Sequence, residues 1–221
     1  MRQGKIFAVY KPKGITSFDV VREVRRITGE RKVGHAGTLD PLAEGVLVIA
    51  MGDATKRIAD EVAKEKEYEA LVRLGMTSTT DDEEGEKTMT MTMTMTPNRQ
   101  DIEAVLKKFV GAISQVPPIY SAIKVKGRSA YKYARKAQSI TLEPREIFIK
   151  DIRLIKYEWP FLEIAATTGP GVYIRSLARD IGLALATGGY LAGLKRTRVG
   201  NFAVKEAVRY NELERYLQKS E

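Results

Sequence analysis

The sequence predicts an α+β fold in which a mixed sheet carries a few helices, and three observations lead there. Apolar or alternating runs of strand length occur at residues 6–10, 46–51 and 67–74. Segments of helical spacing are fewer, and the two kinds do not alternate with the regular βαβ period of a doubly wound sheet. No spacer rich in Gly, Ser or Pro divides the 221 residues, so one domain with an inserted lobe is expected.

Taken in order, residues 6–10 (Ile-Phe-Ala-Val-Tyr) read as a buried strand ended by the turn Lys11-Pro12-Lys13-Gly14. Thr16 or Ser17 can cap a helix whose apolar positions are Val20, Val21, Val24 and Ile27, and Gly29 closes it. Residues 31–45 form a glycine-dotted loop that runs into the apolar strand 46–51. A helix is expected over 52–64, then a half-exposed strand over 67–74. Residues 88–96 alternate Thr and Met, a low-complexity stretch suited to a connection, with no function assigned to it. Ile102, Val105, Leu106 and Phe109 mark a helix over 101–109, and Val116-Pro117-Pro118 stops regular structure. Strands follow around 146–155 and 161–166, then a helix over 172–186, a basic segment within 191–204 and a short helix over 211–219.

Composition narrows the chemistry. Hydrophobic residues make up 43 % of the chain and charged residues 29 %, a balance that can bury a core. No run of eighteen apolar residues occurs, and the first residues are too soon charged for a secretory signal, so a cytoplasmic protein without membrane contact is expected. Cysteine is absent and His35 is the single histidine, which excludes disulfides, thiolate nucleophiles and Cys- or His-rich metal centres. The cluster Asp81-Asp82-Glu83-Glu84 reads as a solvated turn, so no metal is expected. No phosphate-binding loop and no Gly-x-Gly-x-x-Gly appear, and no cofactor is expected.

Lys and Arg number 37 against 28 Asp and Glu, for a formal net charge of +9, and such an excess favours a polyanionic partner. Lys124, Lys126, Arg128, Lys132, Arg135 and Lys136 lie in a stretch without an acid, with Tyr131 and Tyr133 among them. Aromatics between bases suit stacking with phosphate contact, and a solvated helix face would read the same way. Lys195, Arg196 and Arg198 form a second basic cluster. Of the acids, Asp40 is the best placed for catalysis, in a loop whose Gly34, Gly37 and Gly45 let backbone approach a ligand. An Asp before Pro is otherwise a common turn former.

The string Gly34-His35-Ala36-Gly37-Thr38-Leu39-Asp40-Pro41-Leu42-Ala43-Glu44-Gly45-Val46-Leu47 closely resembles the loop of the TruB family of tRNA pseudouridine-55 synthases. Further strings stand in that family's order. They are Tyr10-Lys11-Pro12-Lys13-Gly14 with Ser17, Gly52-Asp53-Ala54-Thr55-Lys56, Lys66-Glu67-Tyr68 and Gln115-Val116-Pro117-Pro118-Ile119-Tyr120-Ser121-Ala122-Ile123-Lys124. Gly171-Val172-Tyr173-Ile174-Arg175-Ser176-Leu177 and Leu194-Lys195-Arg196-Thr197-Arg198-Val199-Gly200 complete the set, which spans roughly residues 5–205.

The resemblance implies the pseudouridine synthase fold, a central, mostly antiparallel mixed sheet with flanking helices and a thumb insertion at about 117–145 that grips the T-arm of tRNA. It implies that Asp40 is the nucleophile, that Tyr68 stacks on the target base and assists proton transfer, and that Arg175 pairs with the catalytic carboxylate. Tyr173 and Leu194 would line the uracil pocket, His35 would fill the space left by the flipped nucleotide, and Lys11 with Pro12 would buttress the catalytic loop. Rearranging uridine 55 to pseudouridine needs neither metal nor redox cofactor. A monomer with no obligate protein partner is expected. No C-terminal PUA-type RNA-binding domain is expected, and with that weaker, more salt-sensitive discrimination of whole tRNA is expected. Two rival functions carry over: a guide-RNA-dependent synthase of the Cbf5/dyskerin type, and a non-catalytic RNA-binding or RNA-folding protein. Intact Asp40, Tyr68 and Arg175 speak against the second.

Overall fold

The computed structural model describes residues 4–90, 96–121, 123–125, 127–130, 133 and 140–219. Among them the chain forms β1 (Lys5–Lys11), α1 (Ser17–Thr28), β2 (Val33–Ala36), β3 (Ala43–Met51), a 3₁₀ turn at Gly52–Arg57, α2 (Ile58–Ala63) and β4 (Lys66–Leu74). A hairpin of β5 (Met76–Ser78) and β6 (Lys87–Met89) precedes α3 (Arg99–Lys107), β7 (Gly111–Gln115) and the short β8 (Lys124–Val125) and β9 (Arg128–Ser129). Next come β10 (Arg145–Glu158), β11 (Phe161–Thr168), α4 (Ile174–Ala184), β12 (Gly189–Val199), β13 (Phe202–Ala203), β14 (Val208–Arg209) and α5 (Leu213–Gln218). The architecture is mixed α+β, as the sequence predicts.

Backbone contacts cluster into two compact units, Met1–Glu69 with Leu194–Glu221, and Ala70–Gly193. Composition gives no sign of this division because its borders fall inside strands, within β4 and within β12, where no linker is needed.

In the first unit, β3 is central. It pairs antiparallel with β1 from Lys5↔Met51 to Lys11↔Gly45, antiparallel with β2 from Val33↔Met51 to Ala36↔Val48, and parallel with β12 from Leu194↔Ala43 to Arg196↔Gly45. Strand β14 pairs parallel with β1. Both faces of β3 are covered, which is why its sequence is continuously apolar rather than alternating. On one face Leu47 and Ile49 meet Phe7, Val9, Leu39 and the inward stripe of α1 (Val20, Val21, Val24), with Leu213 and Leu217 of α5. On the other, Val46 and Val48 meet Ala8, Ala36 and Val199, with Ile58 and Phe202 against them.

The helix α1 starts where its cap chemistry directs. Thr16 accepts from the Asp19 backbone N–H while Asp19 accepts from that of Thr16, and Gly29 ends the helix at φ 66°. Ser17 is the first helical residue rather than the cap. Two expectations are corrected here. The loop 31–45 contains the strand β2, because Val33 and Ala36 are buried on β3 despite the neighbouring glycines. The helix expected over 52–64 divides into a 3₁₀ turn and α2, since the Thr55 hydroxyl bonds the Gly52 carbonyl at 2.7 Å and tightens the first turn.

In the second unit, β11, β10 and β7 form an antiparallel sheet, with Glu158↔Phe161 at the hairpin end and Arg145↔Gln115 at the other edge. Strand β7 lies between α3 and the Pro-Pro stop, where the sequence reading placed no strand. Helix α3 begins at Asn98, which forms a capping box with Asp101 and sends Ile102, Val105 and Leu106 inward.

Candidate active site

The loop between β2 and β3 carries Asp40, and several of its peptide groups are held by hydrogen bonds from neighbouring elements. Ser17 Oγ donates to the Leu39 carbonyl at 2.9 Å and accepts from the Leu39 N–H at 2.8 Å. The Pro41 carbonyl accepts from the Gly14 N–H at 2.8 Å and from Lys11 Nζ at 3.4 Å. The Asp40 carbonyl accepts from the Ala43 N–H at 3.0 Å. Arg196 Nη2 donates to the Gly37 carbonyl and Nε to the Val46 carbonyl, each at 2.8 Å. Leu39 belongs to the core, so the residue before Asp40 is anchored by packing as well.

Lys11 is fully buried, with Nζ also donating to the carbonyls of Pro12 at 2.9 Å and Ile15 at 2.8 Å. Burial lowers its pKa to about 8; the Asp40 carboxylate acts against that shift and the Arg196 guanidinium adds to it. Lys66, also buried, donates to the carbonyls of Val62 and Lys64 at 2.7 Å each, and burial with Arg196 nearby lowers its pKa to about 8. His35 on β2 is held below the usual imidazole range by burial and then by Arg196. Its Nδ1 is buried without a hydrogen bond among the described residues. The Asp40 loop is thus set among buried nitrogen bases.

Tyr68 is 7 % exposed, on the inward face of the alternating strand β4. Leu194 is half-buried on β12, directly paired with Ala43 where β3 leaves the loop.

In the second unit, Tyr173 and Arg175 stand at the start of α4. The buried Gln115 amide fixes the Tyr173 backbone at both ends, accepting from its N–H at 2.9 Å and donating to its carbonyl at 3.2 Å. Arg175 is 7 % exposed; Nη1 pairs with Asp82 at 3.3 Å and Nη2 donates to the Tyr120 carbonyl at 2.9 Å. Arg179 pairs with Asp81 at 2.9 Å. The solvated turn expected at residues 81–84 is therefore corrected at its first half. Asp82 is buried, and burial raises the Asp81 carboxyl against the pull of Arg179. Composition hides this because the partner arginines lie more than ninety residues away.

Of the expected RNA-contacting bases, Lys124 is exposed, and Arg128 lies in β9. Lys126, Lys132, Arg135 and Lys136 lie outside the described residues. Lys195 and Arg198 are partly exposed and paired with Glu69 at 3.4 Å and Glu67 at 2.7 Å. Arg196 is a correction: at 1 % exposure, both of its carbonyl contacts face inward and it presents no surface to a phosphate. Gln115 and Asp82 were not singled out as site residues, and only the buried geometry identifies them. Among the described residues no group of His, Asp and Glu could hold a metal, and no helix is long and apolar enough to cross a membrane.

Comparisons with known proteins fit this site. The model of the TruB family pseudouridylate synthase (N terminal domain) matches residues 25–174, and that of the tRNA pseudouridylate synthase B C-terminal domain matches 175–221. A tRNA pseudouridine synthase B of Parabacteroides distasonis is 40 % identical over 98 % of this chain and 94 % of its own. Its namesake in Rhodospirillum rubrum is 46 % identical over 91 % of this chain, which spans only 65 % of that protein. Among solved structures, a Cbf5-Nop10-Gar1 complex superposes with a TM-score of 0.74 at 29 % identity, covering 96 % of this chain and 54 % of that one.

Proposed function

The chain belongs to the TruB family of pseudouridylate synthases, and from that membership we propose that it isomerises uridine 55 in the T-loop of tRNA to pseudouridine. The observation that carries this reading is the Asp40 loop, immobilised at its peptide groups and set against the buried ammonium of Lys11. The reaction breaks the uracil N1–C1′ bond and forms C5–C1′. The C5 proton is lost and N1 gains one, so the product is an isomer and no redox partner is needed. Attack by a carboxylate at C6 or C1′, or proton removal at C2′, each requires an ionised oxygen in a desolvated place, and nearby cations favour that form. A rigid loop adds orientation, because the attacking oxygen is placed before the base arrives.

In this reading the uracil is flipped out of the T-loop stack, and Tyr68 supplies the aromatic surface for it. Tyr173 and Leu194 serve to contact the uracil, His35 to fill the space it vacates, and Arg175 to supply compensating positive charge. Pro12 with Lys11 supports the loop from beneath. Residues 117–145 grip the T-arm with Lys124, Lys126, Arg128, Lys132, Arg135 and Lys136, and Lys195 and Arg198 add contacts nearby.

The test is tritium release from a tRNA transcript labelled at uracil C5, with no guide RNA present, comparing wild type with Asp40→Asn. Release by the wild type alone supports the reading. Likeness to Cbf5 favours a second, guide-dependent reading; release that appears only after a guide RNA is added would select it. RNA binding without release in either protein would leave a non-catalytic RNA-binding role.

A further inference from the structure

Arg196 is the largest fully buried side chain of the protein among the described residues, and the chemistry above gives it nothing to do. It lies on β12 beside Gly45, in the parallel pairing with β3. From there its planar guanidinium reaches the two ends of one loop, bonding the carbonyl of Gly37 at the entry and that of Val46 at the exit. The fork serves the two carbonyls from separate nitrogens, Nη2 to Gly37 and Nε to Val46, held in one plane, whereas an ammonium must donate from a single atom. Room for the fork is tight, since a Cβ built at Gly37 would stand 3.3 Å from Nη1.

We propose that Arg196 is a positioning residue for the isomerisation, a staple across residues 37–46 that sets where the Asp40 carboxylate stands. This rests on the proposed function above. The groups that sense Arg196 surround it on several elements. Lys11 of β1, His35 of β2 and Lys66 of β4 each lose basicity to it, while Asp40 of the loop, Asp19 of α1 and Glu44 of β3 act on Lys11 in the opposite sense. Of these carboxylates Asp40 lies in the loop between β2 and β3, and Glu44 follows at the start of β3 within the stapled span.

The experiment measures single-turnover isomerisation of a T-arm RNA by the full chain, with RNA affinity, thermal unfolding and a rate profile from about pH 5 to 9. Wild type, Arg196→Lys, Arg196→Gln and Asp40→Asn are compared. Arg196→Lys is expected to fold, to bind RNA within about threefold of wild type and to react about 100-fold more slowly, with its acidic limb in place. Arg196→Gln should be slow as well and should shift that limb to higher pH, because a cation that acts on the same Lys11 ammonium as Asp40 does is gone. A purely structural role would lower unfolding temperature without moving the limb. Should Arg196→Gln fail to fold, Arg196→Lys still decides, through rate against affinity. Full-speed reaction by Arg196→Lys overturns the inference. So does a loss confined to affinity with a shallower salt dependence, the mark of a phosphate contact. An inactive wild type would remove the parent reading and this one together, whereas an active wild type, an inactive Asp40→Asn and a fast Arg196→Lys remove this one alone.

Discussion

The loop that carries Asp40 is gripped by its peptide groups, whereas Arg175 is gripped by its own guanidinium. In the first unit Ser17, Gly14, Lys11 and Arg196 all bond backbone atoms of residues 37–46, so the path of the main chain is fixed by contacts that the Asp40 carboxylate does not make. In the second unit the fixing contacts are to Arg175 itself, from the Asp82 carboxylate and the Tyr120 carbonyl. The difference teaches which substitutions separate chemistry from stability. A change at Asp40 leaves the peptide contacts of its loop in place. A change at Arg175 removes the cation paired with a buried acid, which keeps its local bonds from the Thr80 hydroxyl and the Glu84 N–H.

The largest effect should follow Asp40→Asn, which keeps shape and removes charge: isomerisation falls about 10⁴-fold or more, while the unfolding temperature moves less than in an Arg175 variant. A stability loss equal to that of an Arg175 variant would erase the contrast. Next, Asp82→Asn should cost about 3 kcal/mol in urea denaturation, because a buried cation loses a charged partner, and should also slow catalysis. Stability equal to wild type would mean that the other contacts of Arg175, the Tyr120 carbonyl among them, suffice. Ser17→Ala leaves the buried Leu39 N–H and carbonyl unserved, and should cost about 1–2 kcal/mol with a smaller rate loss.

The smallest effect is a pH dependence. The folded pKa of Lys11, about 8, lies below its ordinary value of 10.5, so between these limits the unfolded chain holds more protons. Stability contributed at this site therefore rises as pH climbs from about 8 toward 10.5, and below 8 the full burial cost is present. Denaturation midpoints of wild type relative to Lys11→Met should rise across that window. A flat difference would show that Lys11 is not desolvated.

The Asp40 loop is legible in the sequence because its signals are local: a glycine string, a cap at Thr16, an apolar strand to follow. The strand β1 and the stripe of α1 were readable for the same reason, since period and caps lie within a dozen residues. What escaped depends on distant partners. Arg196 reads as one base in a basic cluster, and only its pairing beside Gly45 turns it inward. Asp82 reads as surface acid until Arg175 is brought to it. The division into two units escaped because strands, unlike linkers, carry no mark in composition.

Gly45 bears on what mutational drift can explore. Its φ is +108°, and a Cβ built there would lie 2.2 Å from the Arg196 carbonyl oxygen, so a single methyl would wedge β12 away from β3. Leu194 and Arg196 ride on that strand, and both would be displaced by a change that touches neither. In a saturation scan, position 45 should behave as if it were a reacting residue, although it bears no functional group at all.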